Sequence, residues 1–194
     1  MIEKLNQLVH ARRGHFLLES GHHGDLWLDL ELLCLHPHRI QPFASELAKR
    51  LRKYSITAVC GPLVEGAFVA MMVASELDVE FFYTEQRSKY EGGGLYPMAY
   101  RLPPVQKQRI EGKTVAIVND VINAGSAVRG TYLDLETCNA KIVAMASLLT
   151  LGDTPKSLAD EWNIDLITIG SQSNSIWKPD ECPLCAKKTP LDDA

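Results

Sequence analysis

Two hydrophobic patterns alternate along the chain. Short apolar runs bounded by Gly, Pro or Asn predict buried strands, and longer runs with apolar residues at helical spacing predict helices. Strands are predicted at residues 56–60, 80–84, 114–118, 141–149 and 166–169. Helices are predicted at residues 41–53, 66–77, 127–136 and 156–162. Because the two alternate, we expect an α/β fold: a twisted, mainly parallel sheet of five strands with helices on both faces.

Three regions depart from this alternation and suggest how the chain is organised. Residues 1–38 are expected to form a small N-terminal hood, residues 39–170 the core, and residues 171–194 a C-terminal tail that contains a Cys-x-x-Cys pair. Residues 85–105 are polar and rich in glycine, too long for a routine connection. We therefore expect a mobile lid or flap there.

Composition narrows the class of protein. The chain has 194 residues, 46% of them hydrophobic and 23% charged, as expected for one globular domain. A net charge of −4 argues against a general nucleic-acid binder. No apolar run approaches the ~18 residues of a membrane span, and the first residues lack a signal-peptide pattern. Five scattered cysteines favour reduced thiols, and hence a cytoplasmic protein.

The strongest chemical signal lies at residues 115–129, VAIVNDVINAGSAVR. An apolar strand leads into Asn119 and Asp120, a loop of small residues follows, and a helix then begins. Ligands of open parallel sheets bind at the carboxyl ends of strands, and loops of small residues let backbone N–H groups reach an anion. Asp120 could then accept hydrogen bonds from sugar hydroxyls or bind Mg²⁺. The alternative is an ordinary capped strand–turn–helix.

This string resembles the phosphoribosyl-pyrophosphate (PRPP) motif of the type I phosphoribosyltransferases. Residues 119–129 are closest to the orotate phosphoribosyltransferase branch of that family. Residues 14–21 (GHFLLESG) and 27–29 (WLD) resemble its entry segment, and residues 61–66 (GPLVEG) resemble its pyrophosphate-binding turn. The likeness extends over about residues 10–150, in order.

The resemblance implies transfer of 5-phosphoribosyl from PRPP to a nucleobase, with release of pyrophosphate and with Mg²⁺ as cofactor. It implies that Asp120 is catalytic and holds the ribose hydroxyls with Asn119, and that Arg87 and Lys89 neutralise the leaving diphosphate. It implies a homodimer. The implied 5′-phosphate loop is Asn123, Ala124, Gly125, Ser126 and Ala127. The implied pyrophosphate turn is Pro62, Leu63, Val64, Glu65 and Gly66.

Several positions depart from the family pattern. Asn119 stands where the family has the first acid of its pair, and Asn123 where it has Thr. Glu19 replaces a Lys on the substrate side of the site, the flap lacks its His, and no Arg follows the strand at 141–149. These changes disfavour anionic orotate. One alternative is therefore a phosphoribosyltransferase that uses a purine or an uncharged pyrimidine. Another is a non-catalytic regulator that binds PRPP or a nucleotide on the same fold.

A few other side chains are candidates for the base or for a metal. Trp27 could stack on a base or fill the core, and Asn123 could also contact the base. His22 and His23 could face the active site, or be solvated loop residues.

The Cys-x-x-Cys pair is half of a zinc site. Cys182 and Cys185 could be completed by Cys34, His36 and His38, within the chain or across a dimer, which would permit a zinc-stabilised interaction module. The favoured alternative is a packed tail with free thiols.

Overall fold

The structure is a computed structural model that describes residues 2–88 and 95–193. Its strands are β1 (His10–Leu17), β2 (His23–Asp29), β3 (Ala58–Pro62), β4 (Glu80–Ser88), β5 (Met98–Arg101), β6 (Thr114–Ile122), β7 (Lys141–Leu151), β8 (Asp165–Gln172) and β9 (Ile176–Trp177). Its α-helices are α1 (Ile2–Leu8), α2 (Pro37–Leu51), α3 (Glu65–Leu77), α4 (Pro104–Ile110), α5 (Ser126–Thr137), α6 (Thr154–Trp162) and α7 (Pro183–Ala186). Short 3₁₀ helices span Leu30–Leu35, Arg52–Tyr54 and Pro179–Glu181. None of the described helices has the length and hydrophobicity needed to cross a membrane.

The central sheet has six strands in the order β5-β4-β3-β6-β7-β8. Strands β4, β3, β6, β7 and β8 are parallel, which confirms the predicted α/β sheet. The sixth strand, β5, runs antiparallel to β4 at one edge, with Glu85 opposite Arg101 and Ser88 opposite Met98. The prediction of five strands was therefore one strand short.

The polar segment at 85–105 contains regular structure on both sides of residues 89–94. Its first residues extend β4 to Ser88, and its last described residues form β5, so the two make a hairpin. Helix α4 follows and was not predicted. The middle of the expected flap, residues 89–94, lies outside the described residues, and so does Lys89.

Helices cover both faces of the sheet. On one face α2 and α3 pack against β3, β6 and β7, and on the other the core includes residues of α4, α5 and α6. Strands β6 and β7 are buried along most of their length, because parallel strands are covered on both faces. A Cβ at Gly61 would lie 2.5 Å from Ala70 Cβ, so small residues let α3 approach β3 closely.

The hood is a separate antiparallel sheet with the order β1-β2-β9. Its third strand comes from the C-terminal tail, with His23 opposite Trp177. Arg13 also links the two segments, because it hydrogen-bonds Asp25 and the Ser173 carbonyl. The two ends of the chain therefore build one small unit above the main sheet.

Asp134 on α5 anchors the β4–β5 hairpin to the core. Its side chain is 2% exposed, and its carboxylate accepts hydrogen bonds from the Leu102 N–H at 2.7 Å, Lys107 at 2.9 Å and Arg101 at 3.1 Å. Bonds to a buried carboxylate are among the stronger hydrogen bonds in proteins.

Removing this anchor should destabilise the protein. We expect Asp134→Ala to lower the free energy of unfolding by about 2–4 kcal/mol, because the buried Leu102 N–H and two cations lose their acceptor. The matched control is Asp160→Ala, whose exposed pair with Lys156 contributes at most about 1 kcal/mol. Urea denaturation measures both, and equal losses would contradict this account.

Candidate active site

A cavity of about 580 Å³ opens beneath the hood at the carboxyl ends of β3 and β6. Its floor is made by the turns that follow these two strands, and its roof by the hood and Tyr100. The structure brings together most of the residues predicted from sequence. Those that line the cavity are Trp27, residues 62–66, Asn119, Asp120 and residues 123–127.

Asp120 is buried at the end of β6, yet it lines the cavity. Its Oδ2 has no hydrogen-bond partner among the described residues. Burial, and secondarily the charge of Glu65, raise the pKa of Asp120 to about 7, although backbone hydrogen bonds oppose the rise. A buried carboxylate oxygen without a partner is an acceptor available to a ligand.

Asn119 is held against the backbone. Its Nδ2 donates a 2.7 Å hydrogen bond to the Val121 carbonyl. Its Oδ1 faces Gly66 at the start of α3, where a Cβ would come within 1.9 Å. Gly66 is therefore required by the close approach of this amide, and the site is built around Asn at this position.

The loop at 123–127 ends at the start of α5. Gly125 caps the helix with φ 80°, a conformation that glycine adopts at little cost, and a Cβ there would strike Leu158. The N–H groups in the first turn of a helix have no intrahelical acceptors, and they carry partial positive charge. The loop therefore presents an anion-binding surface to the cavity.

The turn after β3 faces this loop across the cavity. Its Leu63–Val64 peptide bond is cis, and the Leu63 N–H donates to the Thr84 carbonyl at 2.9 Å. Helix α3 then begins at Glu65. The first turns of α3 and α5 therefore both adjoin one cavity, which Asp120 of β6 also lines.

Glu19 closes the side of the cavity next to α5. Its carboxylate accepts hydrogen bonds from Ser126 Oγ at 2.7 Å and from the Tyr100 hydroxyl at 2.9 and 3.0 Å. The sequence marked Glu19 as a charge reversal, but gave no sign that it would contact the predicted phosphate loop. That contact depends on the hairpin, which brings Tyr100 above α5.

The cavity is acidic. Arg12 is the one cationic side chain among the described lining residues, and it pairs with Asp29 at 3.2 Å. The carboxylates of the described lining are Glu19, Asp29, Glu31, Glu65 and Asp120. This imbalance favours ligands that carry a cation or present hydroxyl and amino donors.

Other predicted residues lie elsewhere. Arg87 is on β4, 62% exposed and paired with Glu85 at 2.6 Å, and the structure does not bring it into the cavity. His22 hydrogen-bonds Ser20 Oγ at 3.0 Å and does not line the cavity. His23 is buried against His15, so both interpretations of His23, active-site or solvated, were wrong.

The expected partners of the Cys-x-x-Cys pair were also wrong within the chain. In the described part of the molecule, Cys182 and Cys185 lie beside His15 and His23, outside the cavity. They are not joined by Cys34, which lies in the 3₁₀ helix Leu30–Leu35, or by His36 and His38, which lie at the start of α2. A pairing across a dimer stays a prediction.

The family model of the phosphoribosyl transferase domain matches residues 36–184. The chain therefore belongs to the type I phosphoribosyltransferase family, which confirms the resemblance found in the sequence. The match includes β3, β6 and both turns that floor the cavity.

Curated relatives cover nearly the whole chain. An orotate phosphoribosyltransferase of Caldanaerobacter subterraneus is 24% identical, over 98% of this chain and 93% of its own length. An orotate phosphoribosyltransferase of Thermotoga maritima is 26% identical, over 99% of this chain and 94% of its own.

Solved structures share the fold at lower identity. An adenine phosphoribosyltransferase of Thermoanaerobacter pseudethanolicus superposes with a TM-score of 0.69 at 18% identity, covering 89% of this chain and 100% of its own. An orotate phosphoribosyltransferase of Aeropyrum pernix gives 0.64 at 20% identity, covering 88% and 91%. The fold is therefore common to relatives named for different bases.

The raised pKa of Asp120 predicts a pH-dependent effect on stability. The folded pKa of about 7 lies above the unfolded value of about 3.9, so the native state retains a proton that the unfolded chain loses between these values. Stability should fall as pH rises through this window. We expect Asp120→Asn to be more stable than the wild type at pH 8, by about 1–3 kcal/mol. At pH 5 the gain in stability should be smaller, because the wild-type carboxyl is then largely protonated in the native state.

Urea denaturation at the two pH values measures this difference. Asp160→Asn, an exposed carboxylate on α6, serves as the control and should change stability little at either pH. A stability gain from Asp120→Asn that is the same at pH 5 and pH 8 would contradict the assignment.

Proposed function

We propose that the protein transfers the 5-phosphoribosyl group of PRPP to a nitrogen of a nucleobase and releases pyrophosphate. The observation that carries the proposal is the buried Asp120 carboxylate, which lines the cavity beside the first turns of α3 and α5 and whose Oδ2 has no hydrogen-bond partner among the described residues. Membership of the phosphoribosyltransferase family supports the reaction class.

Each part of PRPP has a complementary region of the cavity. The 5′-phosphate would accept hydrogen bonds from N–H groups of the loop at 123–127, where the positive end of α5 favours an anion. The ribose hydroxyls would donate to Asp120. The diphosphate would lie along the turn at 62–66, beside the start of α3.

The residues of the site fit a Mg²⁺ ion that arrives with the substrate. Mg²⁺ is held by one or two carboxylates together with substrate phosphates, and Asp120 and Glu65 offer carboxylates beside the cavity. When bound, Mg²⁺ would neutralise charge on the diphosphate leaving group. Asp120 itself would stabilise the positive charge that develops on the ribose ring as the C1–oxygen bond breaks.

For the acceptor we propose an uncharged base, a purine or a neutral pyrimidine. The acidic lining and the position of Glu19 disfavour the orotate carboxylate, since only Arg12 offers a positive charge among the described lining residues. Trp27 lines the same cavity next to Phe16, and we propose that it stacks on the base. Because curated relatives are named for orotate, orotate is included among the bases to be tested. A solved structure with the same fold is named for adenine, which supports a purine.

The test is pyrophosphate release from PRPP and Mg²⁺ with orotate, uracil, xanthine, guanine, hypoxanthine and adenine in turn. We expect turnover with one uncharged base. Asp120→Asn should lower kcat/KM for PRPP at least about 100-fold, because two hydroxyl hydrogen bonds lose a charged acceptor. The exposed Asp160→Asn should leave it unchanged.

Two results would contradict the proposal. Turnover with orotate alone would refute the choice of an uncharged base. PRPP binding without turnover of any base would identify a non-catalytic PRPP-binding protein, an alternative that the uncharged Asn119 favours.

Restoring the family's acid pair should not improve the enzyme. In Asn119→Asp, a carboxylate oxygen would face the Val121 carbonyl that the amide now donates to, and a second negative charge would adjoin Asp120. We expect no gain in the rate of pyrophosphate release and a loss of about 1–3 kcal/mol in unfolding free energy. Asn163→Asp, the same change at an exposed position, is the control. A large gain in rate would instead indicate a latent enzyme.

Glu19 should weaken PRPP binding through its charge. Glu19→Gln keeps one amide oxygen that can accept from Tyr100 and Ser126, as Oε1 does now, but removes a negative charge next to the predicted 5′-phosphate loop. We expect the KM for PRPP to fall about three- to tenfold with little change in kcat, as loss of roughly 1 kcal/mol of repulsion would give. Glu31→Gln removes the same charge from the lining without a described contact to Ser126, and should have a smaller effect. Equal effects would show that only the net charge of the cavity matters.

A further inference from the structure

A second cluster of chemically active side chains lies in the hood, outside the cavity. His15 of β1, His23 of β2, and Cys182 and Cys185 of the tail each direct one potential ligand atom to a common point. These four atoms all lie within 4.8 Å of one another. The proposed phosphoribosyl transfer uses none of them.

The spacing of these atoms suits a tetrahedral metal site. Zn–N bonds of about 2.0–2.1 Å and Zn–S bonds of about 2.3 Å place the ligand atoms of a regular tetrahedron roughly 3.3–3.8 Å apart. Here Cys182 Sγ lies 3.4 Å and Cys185 Sγ 3.7 Å from His15 Nε2. Cys185 Sγ lies 3.2 Å from His23 Nδ1, and the two imidazole nitrogens are 2.8 Å apart. Small outward shifts of the rings would complete the tetrahedron.

The surroundings orient one of the ligands. His15 Nδ1 is 2.9 Å from the Thr189 carbonyl, to which it donates when protonated, and this leaves Nε2 with its lone pair toward the cluster. Metal-binding histidines commonly use such a second hydrogen bond to fix the ring. The His15 backbone N–H also donates to Asp192 Oδ2 at 2.8 Å, so residues after the Cys-x-x-Cys pair lie along β1.

Burial points to a structural metal. His15, His23 and Cys182 are 1%, 8% and 3% exposed, and Cys185 lies on the solvent side. Four protein ligands leave no open position for substrate, as in structural sites, and two thiolates with two imidazoles in a tetrahedron are typical of Zn²⁺.

We propose that His15, His23, Cys182 and Cys185 form a structural Zn²⁺ site that joins the C-terminal tail to the hood. On binding, each thiol loses its proton to solvent and the two thiolates and two neutral imidazoles coordinate the ion. No oxidation or reduction is involved. The site goes beyond the proposed transfer reaction and does not depend on it.

The position of the site gives the metal a consequence for the active-site cavity. β1 and β2, which supply His15 and His23, also supply Arg12, Trp27 and Asp29 to the cavity lining. The tail strand β9 pairs only briefly with β2, along His23 and Gly24. The metal would therefore hold the tail in place and keep the hood ordered above the turns at 62–66 and 123–127.

The first experiment measures metal in the full-length protein. The protein is purified without chelator after expression in zinc-supplemented medium, and zinc is determined by mass spectrometry. We expect about one zinc per chain. After removal of zinc, titration with Co²⁺ alone should give visible d–d bands of a tetrahedral ion and thiolate-to-metal charge-transfer absorption.

Variants separate this site from adventitious binding. Cys185→Ser changes the solvent-side ligand, and we expect it to lower zinc content after dialysis about tenfold or more and to lose the charge-transfer absorption. Cys138→Ser, a partly buried thiol at the end of α5, is the matched control and should retain full zinc and Co²⁺ signals. Cys182 is buried, so Cys182→Ser is a less suitable variant because its loss could unfold the tail. The Co²⁺ spectrum of the wild type tests for the metal site without any variant.

Three results would overturn the proposal. They are wild-type protein that contains no stoichiometric zinc and gives no tetrahedral Co²⁺ spectrum, an intact Cys182–Cys185 disulfide in place of the metal, and zinc retained in full by Cys185→Ser. The measurements require no catalytic activity, so they remain decisive if the proposed transfer reaction fails.

Discussion

The buried carboxylate of Asp120 is the constraint on which the site depends. An ionised group out of contact with water is costly unless it is paired, and Oδ2 has no partner among the described residues. The parallel sheet makes this position possible, because β6 lies between β3 and β7 and is buried on both faces until it ends at the cavity. The cost is recovered when a ligand supplies hydroxyl donors or a cation, which fits the chemistry of a phosphoribosyl diphosphate bound with Mg²⁺.

The contacts of Asn119 suit an amide at the position where the resembling family motif has an acid. Asn119 uses its amide to hydrogen-bond the Val121 carbonyl, and Gly66 leaves room for its oxygen. Glu19, held by Ser126 and Tyr100, adds a negative charge at another wall. The cavity therefore has a carboxylate at Glu19 as well as at Asp120, and this distribution of charge is the basis for proposing an uncharged acceptor base.

The parts of the molecule that follow from local pattern were predictable. β6 and β7 are long apolar runs, and the loop at 123–127 carries its own motif, so the fold was predicted correctly. The residues predicted at 62–66 and 123–127 line one cavity, and their roles in binding stay predictions. β5 was missed because it is a short edge strand whose attachment depends on Asp134, more than 30 residues away. The partners of Cys182 and Cys185 were missed for a similar reason, since His15 lies 167 residues from Cys182. Contacts across such separations leave no periodicity in the sequence.

The most direct test of the account is the affinity for PRPP with Mg²⁺, measured by calorimetry from pH 5.5 to 8.5 in the wild type and in Asp120→Asn. Because the pKa of Asp120 is raised to about 7 and the ligand needs the ionised form, wild-type affinity should rise toward pH 7 by up to about tenfold per unit and then level. In Asp120→Asn only the titration of PRPP itself can change the affinity with pH. The variant should therefore lack the rise in affinity that comes from ionisation of Asp120. Identical pH profiles, or unchanged affinity in the variant, would show that Asp120 does not hold the ribose.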